Sequence, residues 1–564
     1  VAATSRLVDQ LALMAAEFPS ETAFVDLGSD STVTFAEWDV TANRLARGFR
    51  AVGVEVGDRV ALDVSGGRSK EWIITYAAIH RAGAVAVPIN TRLVSRERRD
   101  LLVHGEVSLV VVDAETGPTM RAALAGEGLA AGVEARSGWA SEARAGGGFA
   151  GGVTSVRLVV ELDAPSAAGS DAAAGSGASE GSGAFGGAAF GVPTWSWTSM
   201  LDPDGSAVEA VADDDDISDI VYTSGTTGRP KGVVVRHSNA SMLPNGVPTW
   251  TGDGWLTCSP LFTFAGLTAV YTPMKLGMTA LYLPRFDPGV WLRLVERRRP
   301  TMVFLVPAMA ELLLAHPDFP SADLSSIGLC AVGSAPLAPE VQRRLQGAMP
   351  AAAVSNAYGM TEAGPAYTVL PKEEAVRRLG SVGRPLPPAE FFVVDTDGCR
   401  LGADQVGELV INLPGRSREY YRDPEATAGS WQGDGLHTGD LARVDADGYV
   451  YVVGRAKEVI IRGGNNVHAT DVEAVIHEHP DVQEVVVAGV PHPVLGEDVA
   501  AWVVPRPGRP LAPVDIWAFA AERLADYKVP RRVAIVAELP RNATGKVVKS
   551  ELTVPEVVAE SIDG

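Results

Sequence analysis

Tyr222-Thr-Ser-Gly-Thr-Thr-Gly-Arg-Pro-Lys231-Gly232 is the stretch on which the reading of this chain turns. It follows Ile217-Ser-Asp-Ile-Val221, a run that predicts a short strand. Thr223 and Ser224, then Thr226 and Thr227, form two hydroxyl pairs separated by Gly225 and followed by Gly228. Glycines let backbone N–H groups approach phosphate oxygens and supply turns with positive φ. The hydroxyls add donors, and Lys231 adds a compact positive charge. A Gly/Thr-rich hairpin turn is the plain alternative, but so dense a set of donors favours a loop that wraps an anion. The Walker A pattern, G-x-x-x-x-G-K-[ST], does not fit. Pro230 stands where it requires glycine, and Gly232 where Ser or Thr would ligate magnesium. The stretch predicts a nucleotide-phosphate loop outside the P-loop NTPases.

A chain of 564 residues is too long for one ordinary core, so at least two domains are expected. With 46% hydrophobic and 21% charged residues the composition is that of a soluble globular protein. The net charge of −21 argues against nucleic acid or an anionic membrane surface as main partner, since both call for a basic footprint. Cys258, Cys330 and Cys399 are too widely spaced for a disulfide framework or a zinc site, and read as buried thiols in a reducing cytosol. No apolar run approaches the ~18 residues of a transmembrane segment. Leu7, Leu11, Leu13 and Met14 suggest an amphipathic helix, and Asp9 and Glu17 interrupt it in a way a secretory signal would not tolerate. A cytoplasmic location is expected.

Between Ser31 and Asp113, helical and strand-like segments alternate, which predicts parallel α/β layers. Phe35-Ala-Glu-Trp38 opens a helix; Arg59-Val-Ala-Leu-Asp63, Ala84-Val-Ala-Val-Pro88 and Ser108-Leu-Val-Val-Val112 read as strands. Residues 164–191 collapse into Ala, Gly and Ser with two phenylalanines, and predict a mobile surface insertion. Asp213 to Asp216 read as solvated surface. Further strands are expected at Thr301-Met-Val-Phe-Leu-Val306 and from Leu329 to Val332. From Phe391 to Val453, short strands with Asp397-Gly398 and Asp447-Gly448 turns suggest a β-subdomain. A βαβ-like tail follows. The predicted organisation is an α/β fold: a large N-terminal domain, 1–456, of layered subdomains, and a small mobile α+β domain, 457–564.

Four further motifs carry chemistry. In Asn356-Ala-Tyr-Gly-Met-Thr361-Glu362 an aromatic can stack on a purine, Thr361 can donate to a phosphate and Glu362 can hold magnesium. His437-Thr-Gly-Asp440 supplies a carboxylate able to accept both ribose hydroxyls, and Gly454-Arg455-Ala-Lys457-Glu458 a cation for the same edge. Pro540-Arg-Asn-Ala-Thr-Gly545-Lys546 places a lysine at a loop tip. Taken singly each has a bland structural explanation; their order and spacing do not.

Together these residues strongly resemble the adenylate-forming superfamily of acyl-CoA synthetases, firefly-type luciferases and peptide-synthetase adenylation domains. The resemblance runs from Phe35 to about Leu552, apart from the insertion, and includes Gly83-Ala-Val-Ala-Val-Pro88, Leu261-Phe262, Gly333-Ser-Ala335 and Gly463-Gly464. It implies two steps: a carboxylate attacks the α-phosphate of MgATP, giving an acyl-adenylate and pyrophosphate, and coenzyme A then displaces AMP. Catalysis of that kind rests on positioning and charge neutralisation. The resemblance implies that Thr223, Ser224, Gly225, Thr226, Thr227, Gly228 and Lys231 hold the β,γ-phosphates, and that Glu362 binds Mg²⁺. It implies that Gly333, Ser334, Ala335 and Tyr358 sandwich adenine, with Asn356, Ala357, Gly359, Met360 and Thr361 beside them, and that Asp440 and Arg455 hold the ribose. Lys546, with Thr227 and Glu362, is the implied catalytic set, bridging the substrate carboxylate and the α-phosphate. Lys457 is the implied hinge; rotation there would withdraw Lys546 and bring Gly463 and Gly464 to the pantetheine tunnel. Asn465 stands where the family commonly has Glu, and His468 where it has Tyr.

Thr263 occupies the place of the Asp that pairs with the ammonium in amino-acid-activating relatives, and of the His common in acyl- and aryl-CoA synthetases. A free α-amino acid is therefore disfavoured. The implied acyl wall, Phe262, Thr263, Phe264, Gly266, Met309 and Gly359 with Ala265, Val306, Met360 and Ala366, is mostly apolar and suits a fatty or other apolar acyl or aryl acid. The expected activity is an acyl-CoA ligase using ATP, Mg²⁺ and coenzyme A. A freestanding ligase that loads a carrier protein is the alternative acceptor chemistry. Sequence leaves the oligomeric state open, a homodimer included.

Overall fold

The computed structural model describes residues 5–125, 156–163, 192–209, 211–224, 230–241, 243–364, 368–414, 418–433, 435–542 and 546–558. The expected insertion at 164–191, the loop residues Gly225, Thr226, Thr227 and Gly228, and Ala366 lie outside them. The chain divides into two compact units: Val1–Asp253, Ser259–Arg285 and Arg418–Pro424 in one, Gly254–Cys258, Phe286–Ser417 and Glu425–Gly564 in the other.

In the first unit the strands run in the order Thr194–Ser196, Leu158–Glu161, Val107–Val112, Arg59–Asp63, Val85–Pro88, Ile217–Ser224, Pro230–Arg236. All neighbours are parallel except the last two, which form an antiparallel hairpin. Strands covered on both faces read as unbroken apolar runs, and Val107–Val112 and Val85–Pro88 are buried throughout. Against them pack helices Phe35–Ala51 and Ser69–Ala82, whose Phe35, Trp38, Phe49, Trp72 and Tyr76 fill the larger core cluster. Thr34 and Glu37 close a capping box that starts the first of these helices, and Gly83 at φ 80° ends the second. The amphipathic N-terminal segment is helix Leu7–Glu17, buried through Leu7, Leu11 and Met14. Strand Thr22–Asp26 pairs with Ser31–Thr34 antiparallel and with Thr279–Tyr282 parallel.

The second unit holds four parallel strands in the order Gly254–Thr257, Met302–Leu305, Leu329–Gly333, Ala353–Ala357. An antiparallel layer follows: Glu390–Val394, Gly407–Asn412, Gly435–Val444 and Val450–Arg455. Gly398 and Gly448, at φ 79° and 82°, make the Asp-Gly turns foreseen there. Beyond Lys457 the long pair Val482–His492 and Gly496–Pro505 is antiparallel. Among the described residues of the tail, only the step from Gly496–Pro505 through helix Pro513–Ala521 to Arg532–Ile535 is a parallel βαβ crossover, so the tail is less βαβ-like than expected.

One cysteine departs from expectation. Cys258 and Cys330 are buried, and burial pushes both thiols up to about 12; Cys399 is exposed, because it closes the Asp395–Cys399 turn at the surface. Among the described residues no helix is long and apolar enough to cross a membrane.

Candidate functional site

The diagnostic loop joins the two strands of the hairpin in the first unit, with Thr223 opposite Lys231 and Ser224 opposite Pro230. The described strands on either side of the loop are thus antiparallel neighbours. A strand–loop–strand context also separates it from a P-loop, which opens a helix. Gly232 has a packing reason: a Cβ there would meet Ile220 Cγ2 at 2.8 Å and Tyr222 Cε1 at 3.3 Å. The Tyr222 hydroxyl lies 2.7 Å from His104 Nδ1. Burial first, then repulsion from Arg422, lowers the His104 pKa to about 4, which keeps the ring neutral at pH 7.

Residues 418–421, distant in sequence, run along the outer edge of the hairpin. Val234 N–H donates to Glu419 O (2.8 Å) and Tyr421 N–H to Gly232 O (2.7 Å). This brings the Tyr420 ring under Lys231, whose Nζ lies 4.6 Å from the ring centroid. Sequence reasoning missed Tyr420; the Tyr420-Tyr421-Arg422 triplet was the available signal, but only long-range pairing shows its use. Arg418, buried, stacks 4.3 Å from the Phe264 ring centroid and donates to Asn239 O.

Thr263 is the N-cap of helix Phe264–Leu276. Its hydroxyl accepts from Gly266 N–H (3.0 Å) and donates to Pro260 O (2.8 Å), so its polar valence is spent locally. Gly266 also has a backbone reason, since a Cβ would stand 2.1 Å from Pro260 O. Phe262 and Phe264 are half-buried.

In the second unit, Gly333 and Ala357 are paired at the C-terminal ends of adjacent parallel strands, the end at which open α/β sheets bind ligands. A Cβ on Gly333 would meet Ala357 O at 2.8 Å, so glycine permits this close approach. Ser334 takes φ 70°, uncommon for a residue with a side chain. Asn356 is buried, whereas Gly359 is exposed with open space where a Cβ would project. Met309 is half-buried on helix Pro307–Ala315.

Asp440 is the centre of a compact polar cluster. Tyr358 donates its hydroxyl to Asp440 Oδ2 (2.6 Å), and Arg455 Nε lies 2.7 Å from Oδ1. Asp440 and Arg455 are register partners across adjacent strands, with irregularities at Glu408/Val410 and Leu441/Ala442 on either side. Such bulges re-aim side chains beside functional positions. Burial raises the Asp440 pKa, against the pull of Arg455, the Tyr358 hydroxyl and Lys546. Tyr358 is raised well above the usual phenol, chiefly by burial and then by Asp440.

Lys546 faces the same cluster. Its pKa lies below the ordinary lysine value, first because protein crowds the ammonium although the side chain still meets water, then because of Arg455; Asp440, Glu362 and Glu458 pull the other way. Asn542 and Lys546 bond each other across the loop tip, Lys546 N–H to Asn542 Oδ1 (3.0 Å) and Asn542 N–H to Lys546 O (2.9 Å). Glu362 and Thr361 sit in the turn that ends at Gly364, just after Met360. The fold therefore gathers Tyr358, Asp440, Arg455, Glu362 and Lys546. Gly463 and Gly464 make the turn between Ile460–Arg462 and Asn465–Val467, and Gly463 N–H closes on Leu495 O (2.9 Å). Lys457 is exposed and, among the described residues, makes no ion pair or side-chain hydrogen bond. Asp213 to Asp216 are mostly exposed, and among the described residues no group of three or more His, Cys, Asp or Glu is arranged to hold a metal.

The profile of the AMP-binding enzyme family matches residues 11–421, and that of the AMP-binding enzyme C-terminal domain residues 471–546. The chain is 33% identical over 527 residues to a feruloyl-CoA synthase of an Amycolatopsis species, covering 93% of this chain and 94% of the relative. It is 31% identical to the long-chain-fatty-acid–CoA ligase FadD13 of Mycobacterium tuberculosis, covering 95% of each. The crystal structure of ATP-bound MatB from Rhodopseudomonas palustris superimposes with a TM-score of 0.77 at 28% identity, over 97% of this chain and 98% of that one. The chain belongs to the AMP-binding enzyme family and is an AMP-forming ligase of the acyl-CoA synthetase type.

Proposed function

We propose that the enzyme activates an apolar carboxylic acid, alkyl or aryl, as its acyl-adenylate and transfers the acyl group to coenzyme A. The observation that carries this reading is the cluster of Asp440, Tyr358 and Arg455 with Lys546 facing it. A carboxylate attacking a polyphosphate must overcome like-charge repulsion, and a cation aimed at the reacting oxygens lowers that cost most in a partly dry site.

Asp440, its two oxygens oriented by Tyr358 and Arg455, is assigned the ribose hydroxyls. Gly333, Ser334, Ala335 and the Tyr358 ring are assigned adenine, with Asn356, Ala357, Gly359, Met360 and Thr361 around it. Thr223 to Gly228 and Lys231 are assigned the leaving pyrophosphate. The Glu362 carboxylate suits a Mg²⁺ ion that keeps several waters and arrives with phosphate ligands. When bound, that ion neutralises phosphate charge. Lys546 is assigned the bridge between substrate carboxylate and α-phosphate. Phe262, Phe264, Met309 and Gly359 are assigned the acyl wall, Thr263 and Gly266 supporting it as cap and close contact. Gly463, Gly464 and Lys457 are assigned the thiol-transfer step, with the tail after residue 456 moving as a domain.

Lys546→Ala tests the central role. It is expected to abolish acid-dependent exchange of pyrophosphate into ATP while largely sparing thioester formation from preformed acyl-adenylate. Equal loss in both half-reactions overturns the assignment.

A further inference from the structure

A buried carboxylate–imidazole contact joins the tail to the rest of the second unit. Glu311, on helix Pro307–Ala315, is 4% exposed; His477, at the end of helix Ala469–His477, is 8% exposed. Their nearest atoms, Glu311 Oε1 and His477 Nε2, are 2.8 Å apart. The contact lacks hydrogen-bond alignment: among the described residues, both Glu311 oxygens and His477 Nδ1 have no hydrogen-bond partner. A tail cation, Arg506, feels the Glu311 charge. The same helix of the tail is tied nearer the active cluster, where the Thr470 hydroxyl donates to Val453 O.

We infer that Glu311 and His477 are positioning residues: the pair seats the tail in the arrangement that holds Lys546 against Asp440 and Arg455, and it opens when the tail leaves that arrangement. The inference rests on the two-step reading proposed above. Its physical basis is the asymmetry between polar and apolar seams. A buried pair of polar side chains adds little net stability, because each partner has surrendered its hydration, and that hydration returns when the partners separate. An apolar contact of the same size would instead resist separation in proportion to the surface exposed. Glu311, with two buried oxygens short of donors, gains most from opening. A seam of this kind defines the closed position without locking it.

The test uses the full-length enzyme with Glu311→Ala, His477→Ala and the double variant, plus His477→Gln, which keeps a polar partner. Pyrophosphate exchange reports the first half-reaction, and thioester formation from preformed acyl-adenylate the second. We expect exchange to fall about tenfold in each alanine variant with no further loss in the double, as coupled partners require. His477→Gln is expected to recover part of the loss, and thioester formation to hold or rise in all four. Because the second half-reaction serves as the folding control, a structural defect would lower both rates. Parallel loss in both half-reactions, additive losses in the double variant, or unchanged exchange overturns the inference. Absence of acid-dependent exchange in the unsubstituted enzyme would instead overturn the two-step reading itself.

Discussion

Tyr358→Phe removes one oxygen and leaves the ring. The lost atom donates to Asp440 Oδ2 at 2.6 Å, a charge-assisted hydrogen bond in a partly buried setting. Such bonds contribute about 1.5–3 kcal/mol, which corresponds to a loss of roughly 10- to 150-fold in kcat/KM for ATP if the bond orients Asp440 for the ribose. Arg455 remains on Oδ1, and at 38% side-chain exposure it is solvated when unpaired, so the smaller end of that range is expected. There is also a pH signature. Burial raises the Asp440 pKa and the Tyr358 hydroxyl opposes that rise, so without the hydroxyl the carboxylate protonates at higher pH. The acid limb of kcat/KM for ATP should therefore move up in pH, with the alkaline limb unchanged. Acid-dependent pyrophosphate exchange measured from pH 5 to 9 reads both effects. An unaltered acid limb together with a loss below threefold would refute the claim that Tyr358 acts through Asp440. A further loss in Tyr358→Leu is expected from removal of the aromatic face.

Gly359→Val adds a side chain where a Cβ meets nothing within 4 Å, so folding should be unaffected while the longest or widest acids are excluded. Unchanged relative kcat/KM across an acid series of graded length would remove Gly359 from the acyl wall. His237 governs an acid-lability prediction. Burial first, then repulsion from His80, lowers its pKa from 6.5 to about 4 in the fold, so the unfolded chain takes up the proton first as pH falls. Its contribution is complete above pH 6.5 and is lost as pH drops toward 4, amounting to about 3 kcal/mol. Urea midpoints at pH 7.5 and 4.5 should differ less in His237→Gln than in the parent; an identical difference contradicts the assignment.

Much of the fold was legible because parallel strands, covered on both faces, must be apolar throughout. Arg59–Asp63 is found as read, and Val85–Pro88, Val107–Val112, Met302–Leu305 and Leu329–Gly333 differ from expectation by only a residue or two at their ends. Non-local features were not legible. That residues 418–424 pack with the first unit depends on pairing with Pro230–Arg236, nearly two hundred residues earlier, and no local pattern announces it. Tyr420 beneath Lys231 follows from that pairing. Thr263 illustrates a different limit: its departure from family habit invited a specificity reading, whereas its hydroxyl serves as a helix cap. Gly232 and Gly266 are likewise accounted for by what a Cβ would strike. Asp440, Arg455 and Lys546 were legible only through their order and spacing; their proximity is a product of the fold.

The most direct measurement is ATP-dependent pyrophosphate release across a panel of alkyl and aryl carboxylic acids, with and without coenzyme A, products being resolved as AMP or ADP. The account predicts release that depends on an apolar acid, AMP as the nucleotide product, and an acyl-CoA thioester only when coenzyme A is present. Formation of ADP and inorganic phosphate, or pyrophosphate release indifferent to every acid, would contradict it.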